Sequence, residues 1–171
     1  NYFNSVLYNG NNTNGNAVTG VGFNPSFVWM KSRPSNGRDH ILVDQVRGVT
    51  KLITSNSTAA EEDGGTDFQS FDSDGFTVGA TQVTGGTNTN AESYISHSWY
   101  GGGAGAANTE GSINTTKTSA DTDAGFSIMT YTGNATEGAT IGHGLTSAPE
   151  VVMTKKRASA AGGWMVFHIG N

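Results

Sequence analysis

The side chains of this chain that could do chemistry are scattered rather than grouped. Its four histidines, His40, His97, His143 and His168, include no pair at the i, i+2 or i, i+4 spacing that puts two imidazoles on one metal. Asp72-Ser73-Asp74-Gly75 and Asp121-Thr122-Asp123 begin like calcium loops, yet neither continues with ligands at later odd positions or a closing bidentate Glu. Asp74-Gly75, set between segments that carry Phe71 and Phe76, reads instead as a hairpin turn. Glu61 and Glu62 are adjacent on a polar stretch and so do not face each other across a sugar ring, as a glycosidase pair must. Gly101-x-Gly103-x-x-Ala106 has the letters of a dinucleotide fingerprint, but Asn108 to Gly111 does not begin the helix that would hold a pyrophosphate. There is no Gly-x-Ser-x-Gly elbow and no His-Glu-x-x-His. The sequence therefore predicts no catalytic residue, no metal site, no cofactor and no enzyme.

What remains is contact chemistry. Lys31 and Arg33 return at matching sites as Lys155 and Arg157, so one role is expected to serve both pairs: a charged strand end near Asp44, or a contact to another subunit or an anionic glycan. Trp29, Trp99, Tyr94, Tyr100 and Trp164 stack on sugar rings if they face solvent, and are core if they do not.

The elements that position these residues are repeated. Tyr8-Asn9-Gly10-Asn11 returns as Tyr131-Thr132-Gly133-Asn134, and Pro25 to Arg33 returns as Pro149 to Arg157. The offset is 123 at Tyr8/Tyr131, 122 at Gly20/Gly142 and 124 at Pro25/Pro149, a drift that two small indels in turn-rich sequence explain. A repeat of this length reads as one structural unit followed by the opening of a second. The expected organisation is a first β-unit over 1–100, a Gly/Ser/Thr-rich linker or extended arm over 101–125, and a partial second repeat over 126–171, in a product processed or excerpted from something longer.

Composition narrows the class. The chain has 25 glycines, three prolines and 35% apolar residues, too much glycine for helices and too much apolar content for wholesale disorder. With no cysteine, disulfides and thiolate metal sites are excluded. A net charge of −5 and only nine Lys and Arg argue against a nucleic-acid partner. No apolar run reaches the roughly 18 to 20 residues of a helical membrane span.

Along the chain, Asn9-Gly10 signals a tight turn with positive φ. Pro25 and Pro149 suit the start of a strand. Phe27 to Met30 and Val151 to Met153 are apolar at consecutive positions, the pattern of strands covered on both faces. Each leads through a turn into a second strand, His40–Val43 and Trp164–Phe167, so a β-hairpin is expected in both copies. Ala59 to Glu62 has room for one helical turn, Gly85–Asn90 reads as a mobile tip, and Tyr94–Tyr100 as the unit's last strand. Glu110–Asp123 is expected to pair with a neighbour or lie over the surface.

Several motifs occur together and in order: Gly22 to Arg33, Asp44 to Gly48, Asn56 to Glu61, Phe71 to Phe76 and Tyr94 to Trp99. In this combination the chain resembles a repeat found in structural proteins of tailed bacteriophages, notably the virion and tail-fibre proteins of marine and cyanobacterial phages. The resemblance implies a virion-surface protein, in a tail fibre, surface appendage or capsid decoration, with other copies of itself and other virion proteins as partners and a host-surface glycan as a further contact. It carries no catalytic residues. The expected fold is all-β, an antiparallel β-sandwich or jelly-roll-like unit followed by a partial second copy, and the expected state is a homo-oligomer. The alternative of a different class is a carbohydrate-binding module at a cell or virion surface.

Overall fold

The computed structural model describes residues 1–34, 37–80, 86–158 and 162–170. Among them the protein is all-β, with no helix. Glycine-dense sequence favours this outcome, because each Gly in a helix interior costs about 0.5–1 kcal/mol relative to Ala, whereas turns use its freedom.

The strands are β1 (Phe3–Asn9), β2 (Asn16–Thr19), β3 (Phe27–Ser32), β4 (Ile41–Asp44), β5 (Lys51–Thr54), β6 (Glu62–Asp63), β7 (Phe68–Asp72), β8 (Gly75–Val78), β9 (Ser93–Trp99), β10 (Thr115–Asp121), β11 (Phe126–Tyr131), β12 (Val151–Thr154) and β13 (Met165–His168). A six-stranded sheet in the order β1-β9-β3-β4-β5-β6 faces a three-stranded sheet in the order β2-β8-β7. The result is sandwich-like. Val28 and Met30 of β3, Ile41 and Val43 of β4 and Leu52 of β5 meet Val18, Phe68, Phe76 and Val78 of the opposite sheet, and Val6 and Tyr8 pack at the margin. Each fully buried side chain of this kind contributes about 1.5–3 kcal/mol by leaving water. β9 carries the small, fully buried Ser96 and Ser98 on one side, and across the core the Phe68 and Phe76 rings stack 5.5 Å apart.

Turn chemistry joins the sheets. Asp72 pairs with Gly75 across the β7–β8 hairpin, as the Asp-Gly signal predicts. The same loop holds the Gly-x-Gly segment: Gly20 and Gly22, both at positive φ, donate their amides to the Asp74 carboxylate at 3.1 and 2.6 Å. Asp72 accepts from the Thr77 hydroxyl at 2.7 Å. Both carboxylates of the calcium-like sequence thus have protein partners, and no cluster of potential metal ligands occurs among the described residues.

Four local expectations are corrected. Gly10 does not have positive φ; it is required because a Cβ there would stand 2.1 Å from the Thr89 carbonyl oxygen. Residues 59–61 form no helical turn, and the chain continues as the short strand β6, whose Glu62 and Asp63 pair with Leu52 and Lys51. The supposed mobile tip contains Asn88, which is completely buried. Its amide nitrogen donates to Asn11 Oδ1, the Thr13 carbonyl and the Gly79 carbonyl at 2.9 to 3.1 Å, while its oxygen accepts from the Asn11 amide and Asn16 Nδ2. Residue 85, the rest of that expected tip, lies outside the described residues, as do 35–36 and 159–161 in the two β-hairpin turns. Asp44 is held by Arg47 at 2.5 Å rather than by the lysines and arginines of the strand ends.

The 101–125 segment is built into the fold. Ala106 bridges Thr118, the Ser119 hydroxyl donates to the Gly101 carbonyl, and β10 pairs with β11 of the same chain. Close approach explains the glycines: a Cβ on Gly102 would meet the Ala120 carbonyl oxygen at 2.4 Å and one on Gly105 the Thr118 carbonyl oxygen at 2.5 Å.

Candidate functional site at the joint between the repeats

β3–β4 and β12–β13 are the same hairpin. Val28 lies opposite Val43 and Met30 opposite Ile41; 124 residues later Val152 lies opposite Phe167 and Thr154 opposite Met165. Sequence-matched strands therefore share a register, and the residues that follow β12 point at the first unit.

Lys155 donates to the Ser57 carbonyl at 2.6 Å and lies 5.9 Å from the centre of the Trp164 ring. Trp164 Nε1 donates to the Thr54 carbonyl at 2.9 Å. Arg157 grips Glu61 with two nitrogens, Nε to Oε2 at 2.8 Å and a terminal nitrogen to Oε1 at 2.7 Å, and the Glu61 amide donates to the Arg157 carbonyl at 3.0 Å. Such a planar two-point pair is a geometrically specific form of arginine–carboxylate contact. Glu61 also accepts from buried Arg47 at 3.3 Å. Burial alone would push the Glu61 carboxyl up, but the hydrogen bond and charge of Arg157, with those of Arg47, outweigh it and hold Glu61 below the usual carboxylate value. The bond to Glu61 in turn raises Arg157. The clasp is thus anionic on the first unit and cationic on the second hairpin.

A second contact lies on the outer face of the large sheet. Phe126, at the start of β11, packs 6.0 Å from both Phe27 and Trp99, its ring stacked on the indole of Trp99. Phe3 lies 4.8 Å from Trp99 and remains half exposed. Beside them Ser5 Oγ is hydrogen-bonded to His97 Nδ1 at 2.7 Å. Trp29 Nε1 donates to His40 Nδ1 at 2.9 Å, which requires that nitrogen to be unprotonated. Partial burial lowers His40 from its ordinary value, helped by the charge of Lys31.

The nine anticipated contact residues therefore separate. Lys155, Arg157 and Trp164 form the clasp, and Trp99 belongs to the aromatic contact beside Phe126. Trp29 stays half-buried against His40. Tyr94 is 1% exposed, stacked 5.0 Å from Tyr8 with its hydroxyl donating to Glu92, so it is core. Tyr100 lies 6.3 Å from Tyr2 and from Phe23 just beyond β9. Among the described residues Lys31 donates only to the Ser32 carbonyl, and the exposed Arg33 side chain has no partner. The two basic pairs thus have different roles, because the Ser57–Glu61 loop that Lys155 and Arg157 hold has no counterpart facing Lys31 and Arg33 among the described residues. Glu61 and Thr54, the receiving half of the clasp, were not anticipated; a polar loop gives no sign in sequence of which distant cation it meets.

Fold and joint define an all-β protein that carries a second, docked copy of its central hairpin. A family model described as a domain of unknown function, DUF7483, matches residues 1–170, and the chain belongs to that family. No curated protein and no solved structure matches it.

Proposed function

We propose that this chain is a non-enzymatic structural protein of a tailed-bacteriophage virion, in a tail fibre, surface appendage or capsid decoration at the virion surface. It acts by holding neighbouring β-units and subunits in place, with host-surface adhesion as a further role. The observation that carries the reading is the clasp: the charged side chains that recur between repeats are used in Lys155 and Arg157 to fasten one repeat onto the other. The resemblance of the motifs to phage virion repeats supports the setting. The exposed Phe3 and Leu7 of β1 provide a further contact surface for other copies or other virion proteins.

The test is direct. Antibody raised against the chain should label intact purified phage particles in negative stain, and peptides of the chain should co-purify with particles through a density gradient. Recovery only in the soluble host fraction removes the virion reading. Multi-angle light scattering should show a homo-oligomer, and a stable monomer at micromolar concentration counts against self-assembly.

One groove favours the second reading, a carbohydrate-binding module. Ser55, Asn56, Ser57 and Thr58 line it opposite Trp164, an aromatic wall beside hydroxyl and amide groups. Binding of a neutral polysaccharide that Trp164→Ala abolishes would establish that reading.

A further inference from the structure

We propose that the β12–β13 hairpin is an acceptor for one kind of partner: a segment with the pattern of this chain's own residues 45–100, whose β9-type strand enters antiparallel at the open edge of β12. The inference deepens the assembly reading by naming the partner.

The first unit is the template. There β3 is paired on both edges, by β4 and, over six residue pairs from Phe27↔Trp99 to Ser32↔Tyr94, by β9. Among the described residues its counterpart β12 is paired only by β13, in a sheet of two strands. The core-facing side chains Val28, Met30, Ile41 and Val43 are at most 2% exposed beneath β2, β8 and β7. Their counterparts Val152, Met165 and Phe167 are 38%, 75% and 57% exposed, and no covering strand lies over them among the described residues. The same hairpin in the same register is thus a finished layer in one place and a bare one in the other. The opposite face is also open, with Val151 and Met153 half exposed, so the expected coverage of both faces of β12 is not met among the described residues.

The edge is four residues long, preceded by Pro149 and Glu150 and followed by Lys155 and Lys156, and it is open over its own span. Val151 to Thr154 has no charge, no proline and no bulge, and β-edges without such features are templates for another strand. The partner's chemistry follows from β9. It sets Ser98 opposite Val28 and Ser96 opposite Met30, both serines fully buried, and puts Trp99 and His97 on the other face. A strand fitting β12 must alternate in the same way, small hydroxyl residues toward Val152 and Thr154 and bulky rings toward Val151 and Met153. Behind it, a sheet bearing residues like Phe68 and Phe76 covers Met165 and Phe167.

The experiment appends residues 45–100 directly after His168, the counterpart of Asp44, to the otherwise full chain. Amide exchange at Val151–Thr154 should slow by about 100-fold or more, toward the rates of Val28–Met30, as an edge becomes an interior strand. Binding of an apolar dye should fall in parallel. Placing Ser96→Lys and Ser98→Lys in the appended copy alone should abolish both effects while the first unit stays folded, which separates failed docking from general misfolding. Unchanged exchange at Val151–Thr154 in the extended chain overturns the proposal. So does protection of β12 in the unextended chain together with dimerisation that Phe167→Asp abolishes, since the occupant is then a second copy's hairpin. Neither result bears on whether the protein labels virions.

Discussion

Removing the Glu61 carboxylate should loosen the attachment of the second hairpin to the first unit while leaving both folded. Glu61→Ala deletes the two Arg157 contacts at 2.7 and 2.8 Å and the 3.3 Å contact to Arg47. The Glu61 side chain is 12% exposed and that of Arg157 42%, so the pair is intermediate between a solvated ion pair and a buried one. Exposed pairs yield about 0.2–1 kcal/mol, and hydrogen bonds to charged groups about 1.5–3 kcal/mol. A coupling of about 1–2 kcal/mol is therefore expected from a double-mutant cycle of Glu61→Ala and Arg157→Ala. Buried Arg47 keeps Asp44 and the Leu42 and Lys51 carbonyls, so the first unit should remain native. The assay is urea unfolding of the four proteins, with amide exchange at Val151–Thr154 as the local readout. A coupling under about 0.3 kcal/mol, within the usual additivity of independent sites, or unchanged exchange in Glu61→Ala, would refute the clasp. Because the net effect of the surroundings lowers the Glu61 carboxyl, its contribution is present above the unfolded value near 4.5 and fades as pH falls through the folded one.

Three further outcomes follow from the same structure. Asn88→Ala strands the Gly79 and Thr13 carbonyls and the Asn11 amide and should cost about 3–4 kcal/mol in chemical denaturation, since each buried polar group left unpaired costs about 1–3 kcal/mol; a loss under about 1 kcal/mol contradicts its role as a hub. Gly10→Ala drives a methyl into the Thr89 carbonyl and should destabilise by about 1–3 kcal/mol, whereas Gly15→Ala, at positive φ with open space around it, should cost about 1 kcal/mol from strain alone. His40, lowered in the folded state and facing Lys31, Asp39 and His97, binds a proton more readily when unfolded, so stability should drop as pH falls through about 6.5. Indole fluorescence should change over the same range, and His40→Gln should abolish the dependence.

How much was legible depended on whether the information was local or repeated. The β-class followed from glycine and β-branched content. The two hairpins followed from Phe27–Val43 and Trp164–Phe167, because alternation and turn residues act over a few positions. The Asp74-Gly75 turn was legible for the same reason. Asn88 was not, since its partners Asn11, Thr13 and Asn16 lie more than seventy positions away and a buried Asn looks like a loop Asn in sequence. Gly10 has the sequence signature of a turn glycine, although its need comes from a strand-distant backbone, Thr89, that only packing brings near.

By itself the sequence determined the strand-forming segments, the duplicated hairpin and the absence of recognised catalytic motifs, because periodicity, turn chemistry and self-similarity are written within one stretch of chain. Only the tertiary structure decided which copies of matching residues do the same work. Lys31 and Lys155, or Val28 and Val152, are equivalent in sequence and register, yet one lysine donates to the adjoining backbone and the other fastens two repeats. One valine is sealed beneath a second sheet and the other faces water. Burial and pairing belong to neighbours brought together across the chain, and a repeat carries its own pattern without carrying its surroundings.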